Sequence, residues 1–157
     1  MVELLISAIR PIYRLDWNGV HGSSHWARVR DIGSKLSGQT GANPRVVEAF
    51  SVLHDSCRLN DHSDPDHGPR AAKFARSING QILKFDDDEL NLLDEACLHH
   101  TRGATSGFDI TVLTCWDSDR LDLGRVGILP RPEYLCTDSA KSRDMIEWAY
   151  KNSLDAA

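Results

Sequence analysis

Residues 50–56 read FSVLHDS, an apolar helical stretch that ends in a His-Asp doublet. His54 lies four residues after Phe50 and seven after Val47, so in a helix its imidazole shares their apolar face. A buried imidazole is costly without a partner, which means that His54 needs a hydrogen-bond acceptor or a metal ion. Asp55 adds a carboxylate at the same helix end. The doublet predicts two neighbouring metal ligands, with a buried polar network as the structural alternative.

Other histidines of the chain, which has seven, repeat this inward placement. His25 begins the apolar stripe of the segment 21–36, and His100 lies four residues after Ala96 at the end of the segment 86–100. Imidazole nitrogen and carboxylate oxygen together are common ligands of zinc, iron, manganese and similar divalent ions. Imidazoles that converge from several helices therefore predict a divalent metal centre.

Apolar residues recur at helical spacing and no segment alternates with a period of two, which predicts an all-α, compact single domain over residues 1–157. A short amphipathic helix is expected near the N-terminus. The other predicted helices span residues 21–36, 44–55, 67–79, 86–100, 109–123 and 139–152. Pro44 fits a first helical turn, Gly80 a C-terminal stop, and the aspartates from Asp86 a helix N-terminus.

Three sequence elements stand in a fixed order: His25 in HWARV, His54-Asp55 in FSVLHDS, and Asp119 in DSDRLD. Together they resemble the HD superfamily of metal-dependent phosphohydrolases, over about residues 21–125. The resemblance implies an all-helical HD-domain fold with these four residues as metal ligands. It also implies a divalent ion (Mn, Ni, Co, Fe, Zn or Mg) and cleavage of a phosphate mono- or diester by metal-activated water.

Two further stretches resemble the binuclear members of this superfamily, which include the HD-GYP phosphodiesterases. His67 opens a helix after the doublet's loop, and His99-His100 end the next helix before a glycine-containing loop. The resemblance implies that His67, His99 and His100 hold a second ion, with His67 also serving in catalysis; His99 has the alternative of facing away from His100. The chain lacks the GYP signature and its Glu, so cleavage of cyclic di-GMP is not implied.

Polar residues near the doublet are candidates for substrate binding and proton transfer. Arg58 and Arg70 come first as phosphate ligands, because a planar guanidinium matches phosphate oxygens, with ordinary surface positions as the alternative. Arg58 stands near the position where some mononuclear nucleotidases of the superfamily have a catalytic Glu. Asp61 and Asp64 are candidate proton-transfer groups, and an Asx turn before Pro65 would explain Asp64 without any chemistry.

The residues alone leave two questions undecided: which aspartate of DSDRLD is the ligand, and what His21 does. Helical spacing does not choose between Asp117, four residues after Leu113, and Asp119, three residues after Trp116. The family resemblance favours Asp119. His21 is open as a ligand, an outer hydrogen-bond donor or a structural partner.

The composition is ordinary for a globular protein, with 41% hydrophobic and 26% charged residues. The net charge of −5 gives no sign of nucleic-acid binding, and the N-terminal apolar run is too short and too charged for a membrane span.

Four cysteines without a CxxC pair, and no signal-peptide pattern, predict reduced thiols in the cytoplasm. The expected partner is a small phosphorylated substrate, with nucleotides among the candidates; the N-terminal stretch and residues 148–150 leave a homo-oligomer open.

Two other functions fit the same ligand residues. HD-fold oxygenases such as myo-inositol oxygenase use a di-iron pair with the ligand order His, His-Asp, His, His, Asp, which this chain also has. Bound iron and oxygen consumption would identify that chemistry. A non-catalytic module would bind a nucleotide without hydrolysing it, although the complete ligand set argues against this alternative.

Overall fold

Residues 1–154, the part of the chain that the computed structural model describes, form eight α-helices and no β-strand. The helices are α1 (Val2–Ile9), α2 (Ser23–Thr40), α3 (Pro44–Leu53), α4 (His67–Ile78), α5 (Asp87–His99), α6 (Ile110–Arg120), α7 (Asp138–Lys141) and α8 (Arg143–Leu154). Two short 3₁₀ turns, Leu123–Val126 and Pro132–Tyr134, connect α6 to α7. The all-α prediction is confirmed; residues 155–157 of the predicted domain lie outside the described residues.

Local sequence explains where the helices nearest the site begin and end. The Asn43 side chain accepts hydrogen bonds from the first backbone N–H groups of α3, and Pro44 occupies its first position. Asp86 and Glu89 form a reciprocal capping box at the start of α5. Gly41 ends α2 in the left-handed conformation, with φ of +77°.

Three of the predicted helices differ from the structure by more than two residues or by a break. The helix predicted over 21–36 begins at Ser23, after an extended Gly22, and continues to Thr40, because an interior glycine weakens a helix without stopping it. The helix predicted over 109–123 ends at Arg120 and leads into a 3₁₀ turn. The segment 139–152 forms two helices, because Ser142 is extended between them and its hydroxyl accepts the backbone N–H of Met145 at the start of α8.

The core is arranged around α3, which packs against α1, α2, α4, α5 and α6. Its largest fully buried side chains include Phe50, Trp26 and Trp116. The indole of Trp116 donates to the carbonyl of Ala96 at 3.0 Å, which ties α6 to α5. Leu5 of the N-terminal helix is fully buried in this core. A smaller apolar cluster joins α2 to α7 and α8.

The close approach of α4 and α5 depends on Gly68. A Cβ atom at Gly68 would clash with the carbonyl oxygen of Cys97, and would lie 3.5 Å from the His100 ring. We expect Gly68→Ala to destabilise the protein by about 1–3 kcal/mol, since the helices must move apart to accept a methyl group. A lower urea midpoint at unchanged slope is the expected measurement.

The matched control is Gly38→Ala in α2, where an added Cβ meets nothing within 4 Å. This variant should be neutral, or more stable by up to about 1 kcal/mol, because alanine favours a helix over glycine. Equal midpoints for the two alanine variants would contradict the packing argument.

Within residues 1–154, no helix combines the length and the apolar character that a membrane span requires.

Candidate metal centre

Six of the seven predicted metal ligands meet where five helices begin or end. His25 and His67 lie in the first turns of α2 and α4, His54, Asp55 and His100 directly follow α3 and α5, and Asp119 lies in the last turn of α6. Three of these five helix ends are C-termini, whose partial negative charge favours a cation. All six side chains are buried except that of Asp119, which is 19% exposed and marks the side nearest to solvent.

The first group of ligand atoms comes from His25, His54 and Asp119. The Nε2 atoms of His25 and His54 are 3.1 Å apart, and they lie 3.4 Å and 3.7 Å from Asp119 Oδ1. Asp55 Oδ2 lies 3.8 Å from the first nitrogen and 3.6 Å from the second. Two imidazoles and two carboxylates can therefore share one ion here.

The second group consists of Asp55, His67 and His100. Asp55 Oδ1 lies 3.1 Å from His67 Nε2 and 3.8 Å from His100 Nε2, and these two nitrogens are 2.8 Å apart. Asp55 thus presents one carboxylate oxygen to each group. This is the arrangement of a carboxylate that bridges two ion positions.

Every imidazole of the two groups is oriented by an acceptor behind it. The Nδ1 proton of His25 goes to the Asp122 carboxylate at 2.7 Å, and that of His54 to the Phe50 carbonyl at 3.1 Å. His67 donates from Nδ1 to the Asp64 carbonyl, and His100 to the Cys97 carbonyl at 2.8 Å. A neutral imidazole protonated at Nδ1 carries a lone pair at Nε2. In that form the four lone pairs face one another, and no ring has a proton to give its neighbour. A divalent cation satisfies such a donor set, so these residues fit a metal.

Electrostatics favours the ligand form of His54 and of the two carboxylates. Burial lowers the pKa of His54 to about 4, so its ring is neutral at pH 7. Burial opposes ionisation of Asp55, but the surrounding histidines, His54 foremost, hold its pKa well below the usual range. The pKa of Asp119 is lowered in the same way, because the neighbouring His25, His54 and Arg125 outweigh burial. His100 is the exception, because the carboxylates of Asp55 and Asp119 outweigh burial and raise its pKa, so a metal ion competes with a proton at this ring. The carboxylates are therefore ionised, as metal binding requires.

Asp122, the last residue of the DSDRLD motif, has a place behind the centre that the sequence interpretation missed. Its carboxylate is fully buried, and it accepts two hydrogen bonds from Arg28, at 2.6 Å and 3.1 Å, besides the one from His25. A carboxylate behind a ligating imidazole fixes the ring and raises its basicity. The spacing of three residues from Asp119 was the available signal.

Arg58, predicted to bind phosphate, is buried beside the second group. Its Nη1 lies 3.4 Å from Asp55 Oδ1 and 3.3 Å from His67 Nε2. Its other nitrogens donate to the carbonyls of His62, at 2.8 Å, and Asn60, at 3.3 Å. The loop after the doublet therefore holds a fixed positive charge against the centre.

Asp64 and Arg70, the other predicted catalytic residues, brace this loop and do not join the ligand groups. Asp64 Oδ2 accepts the backbone N–H of Leu59 at 2.8 Å and a guanidinium hydrogen bond from Arg70. Burial opposes ionisation of Asp64, but Arg70 and Leu59 lower its pKa, so it is ionised at neutral pH. Arg70 also donates to the Cys57 carbonyl at 3.0 Å, and with Arg58 it lines a cavity of about 480 Å³.

His99 and Asp117 also lie away from the six clustered side chains. Successive helical residues point about 100° apart, so His100 faces the centre while His99 packs beside Phe108, with ring centroids 5.8 Å apart. Asp117 accepts the backbone N–H groups of Cys136, at 2.7 Å, and Thr137, at 2.8 Å. It fastens the segment before α7 to α6, while Asp119 reaches the centre.

The comparisons with known proteins agree with this fold. Neither a protein-family model nor a curated protein matches the chain. Among solved structures, it is similar to a protein described as a predicted HD superfamily hydrolase from an uncultured Thermotogales bacterium. The two chains are 21% identical with a TM-score of 0.72, over 98% of this chain and 87% of the other. The likeness shows that this chain has the HD-domain fold, as the sequence resemblance implies.

Proposed function

We propose that the protein is a metal-dependent phosphohydrolase that cleaves a mono- or diester of a small phosphorylated metabolite, with nucleotides among the candidate substrates. One observation carries the proposal: Asp55 offers a different oxygen to each of two groups of buried ligands. Two such groups suit two divalent ions, drawn from Mn, Ni, Co, Fe, Zn and Mg. Binuclear sites of this kind serve in-line displacement at phosphorus.

Different residues would have different roles in such a reaction. Bound divalent ions supply a water of lowered pKa and a Lewis acid for the phosphoryl oxygens. The partly exposed side chain of Asp119 lies where substrate would approach. Arg58 offers positive charge to the equatorial phosphate oxygens, in which it resembles the arginines of other phosphoryl-transfer sites. Its charge, fixed by the carbonyls of His62 and Asn60, also favours an anionic substrate over a neutral one.

The test is to purify the protein without chelators, to measure its metals by elemental analysis, and to assay phosphate mono- and diesters. We expect one or two divalent ions per chain and metal-dependent hydrolysis of at least one ester class. Two irons per chain with oxygen consumption and no hydrolysis would replace the proposal with an oxygenase. Tight nucleotide binding without turnover would replace it with a binding module. Protein that takes up no metal, even with added Mn²⁺ or Ni²⁺, would overturn it.

A further inference from the structure

A second histidine-carboxylate pair lies beside the centre without belonging to either ligand group. His21 lies just before the start of α2, four residues ahead of His25, and its Nδ1 lies 3.0 Å from Asp61 Oδ1. The imidazole side chain is 12% exposed and the aspartate 48% exposed, so the pair stands at the protein surface. Within residues 1–154, neither residue contributes to the two groups of potential ligands.

Two side chains hold the backbone at His21. The Tyr13 hydroxyl donates to the carbonyl of His21 at 2.8 Å. Arg125 donates to the carbonyl of Val20 at 2.9 Å, and its guanidinium lies 3.9 Å from Asp119 Oδ1. Arg125 thus links Val20, the residue before His21, to Asp119.

Charged groups of the metal centre and of the residues around it act on the His21 ring. Asp61 touches it, and Asp55, Arg58 and Arg125 are the other charges that influence it. Burial lowers the pKa of His21, and the two aspartates oppose that change. The protonated ring is therefore a stronger acid than a free imidazolium.

We propose that His21, held by Asp61, donates the proton that the leaving group needs when the phosphate ester is cleaved; this rests on the proposed function. Water oxygen bonds to phosphorus, and the bond from phosphorus to the ester oxygen breaks. That oxygen keeps the bonding electron pair and takes a proton from Nε2 of the His21 imidazolium. The attacking water leaves its own proton to phosphate or solvent, and His21 regains one from solvent through its exposed edge.

The alternatives among the described residues are less suited to this step. The four clustered imidazoles direct Nε2 at the potential ion positions and use Nδ1 to bind the acceptors behind them. Asp64 is ionised and braced by Arg70, so it has no proton to give. His62 is exposed on the loop surface.

The test compares His21→Asn with wild type on two monoesters or two diesters, one with an alkyl and one with a 4-nitrophenyl leaving group. A poor alkoxide leaving group needs the proton, so we expect its hydrolysis to fall by about 10²–10⁴-fold. Nitrophenolate leaves without a proton, so its release should change little, and the metal content should stay at the wild-type level. Asp61→Asn should slow the alkyl ester selectively as well, by a smaller factor, and leave release of nitrophenolate nearly unchanged.

His62→Ala is the control, because this histidine is exposed and only its backbone carbonyl contacts Arg58. An equal fall for both esters in His21→Asn, or loss of metal, would assign His21 a structural role and overturn the inference. No change with either ester would overturn it as well. Wild-type protein that cleaves neither ester would instead overturn the proposed function, and the proton donor with it.

Discussion

Asp55→Ala is expected to remove metal binding and hydrolysis together. The second ligand group would keep only the imidazoles of His67 and His100, and two such ligands without a carboxylate do not make a stable site for a divalent ion. The first group would lose the Oδ2 atom that lies 3.8 Å from His25 Nε2 and 3.6 Å from His54 Nε2. Elemental analysis should show the second ion missing and the first depleted, and phosphohydrolase activity should fall to background at saturating Mn²⁺.

Asp66→Ala is the matched control, since Asp66 is an exposed aspartate near the same loop whose side chain caps nothing at the start of α4. It should keep the wild-type metal content and activity. Asp55→Asn tests the charge at nearly constant volume, and it should lose metal as the alanine variant does while unfolding cooperatively in urea. Full metal content in a folded Asp55→Asn protein would show that the four histidines do not need the bridging carboxylate.

Local sequence explains much of this fold because caps and apolar spacing act over a few residues. Asn43 with Pro44 and Asp86 with Glu89 mark helix starts that the structure has within one residue. The break at Ser142 is different, because a serine within an amphipathic segment fits either a helix interior or an N-cap. Only the packing of α7 and α8 on α2 decides between the two.

In the site, too, local sequence predicts some of the residues, and only the fold brings the others together. Inward spacing and the ordered motifs led to His54 and His100, which the structure brings into the cluster. The pairs His21–Asp61 and His25–Asp122 join residues 40 and 97 positions apart, so no local pattern connects their members. Such partners become visible only when the helix ends meet in three dimensions.

Asp122→Asn is expected to weaken metal binding by about 10–100-fold although it removes no potential ligand. The asparagine keeps the volume and an acceptor for the His25 Nδ1 proton, but it loses the charge that raises the basicity of the ring. It also leaves the Arg28 guanidinium, now 2.6 Å from the carboxylate, facing a neutral amide. Because Asp122 touches His25 and neither His67 nor His100, the first ion should be weakened more than the second. Competition with a chromophoric chelator measures both affinities.

Asp31→Asn, an exposed change of the same type on α2, should leave both affinities unchanged. Equal weakening of the two ions in Asp122→Asn would point to general loosening of the helix ends, because a carboxylate that acts through His25 alone can affect only the group containing that ring. Unchanged affinity for the first ion would mean that packing against His54, with ring centroids 5.1 Å apart, holds His25 in place without the carboxylate. A selective loss, by contrast, would extend the working part of the DSDRLD motif from its second aspartate to its third.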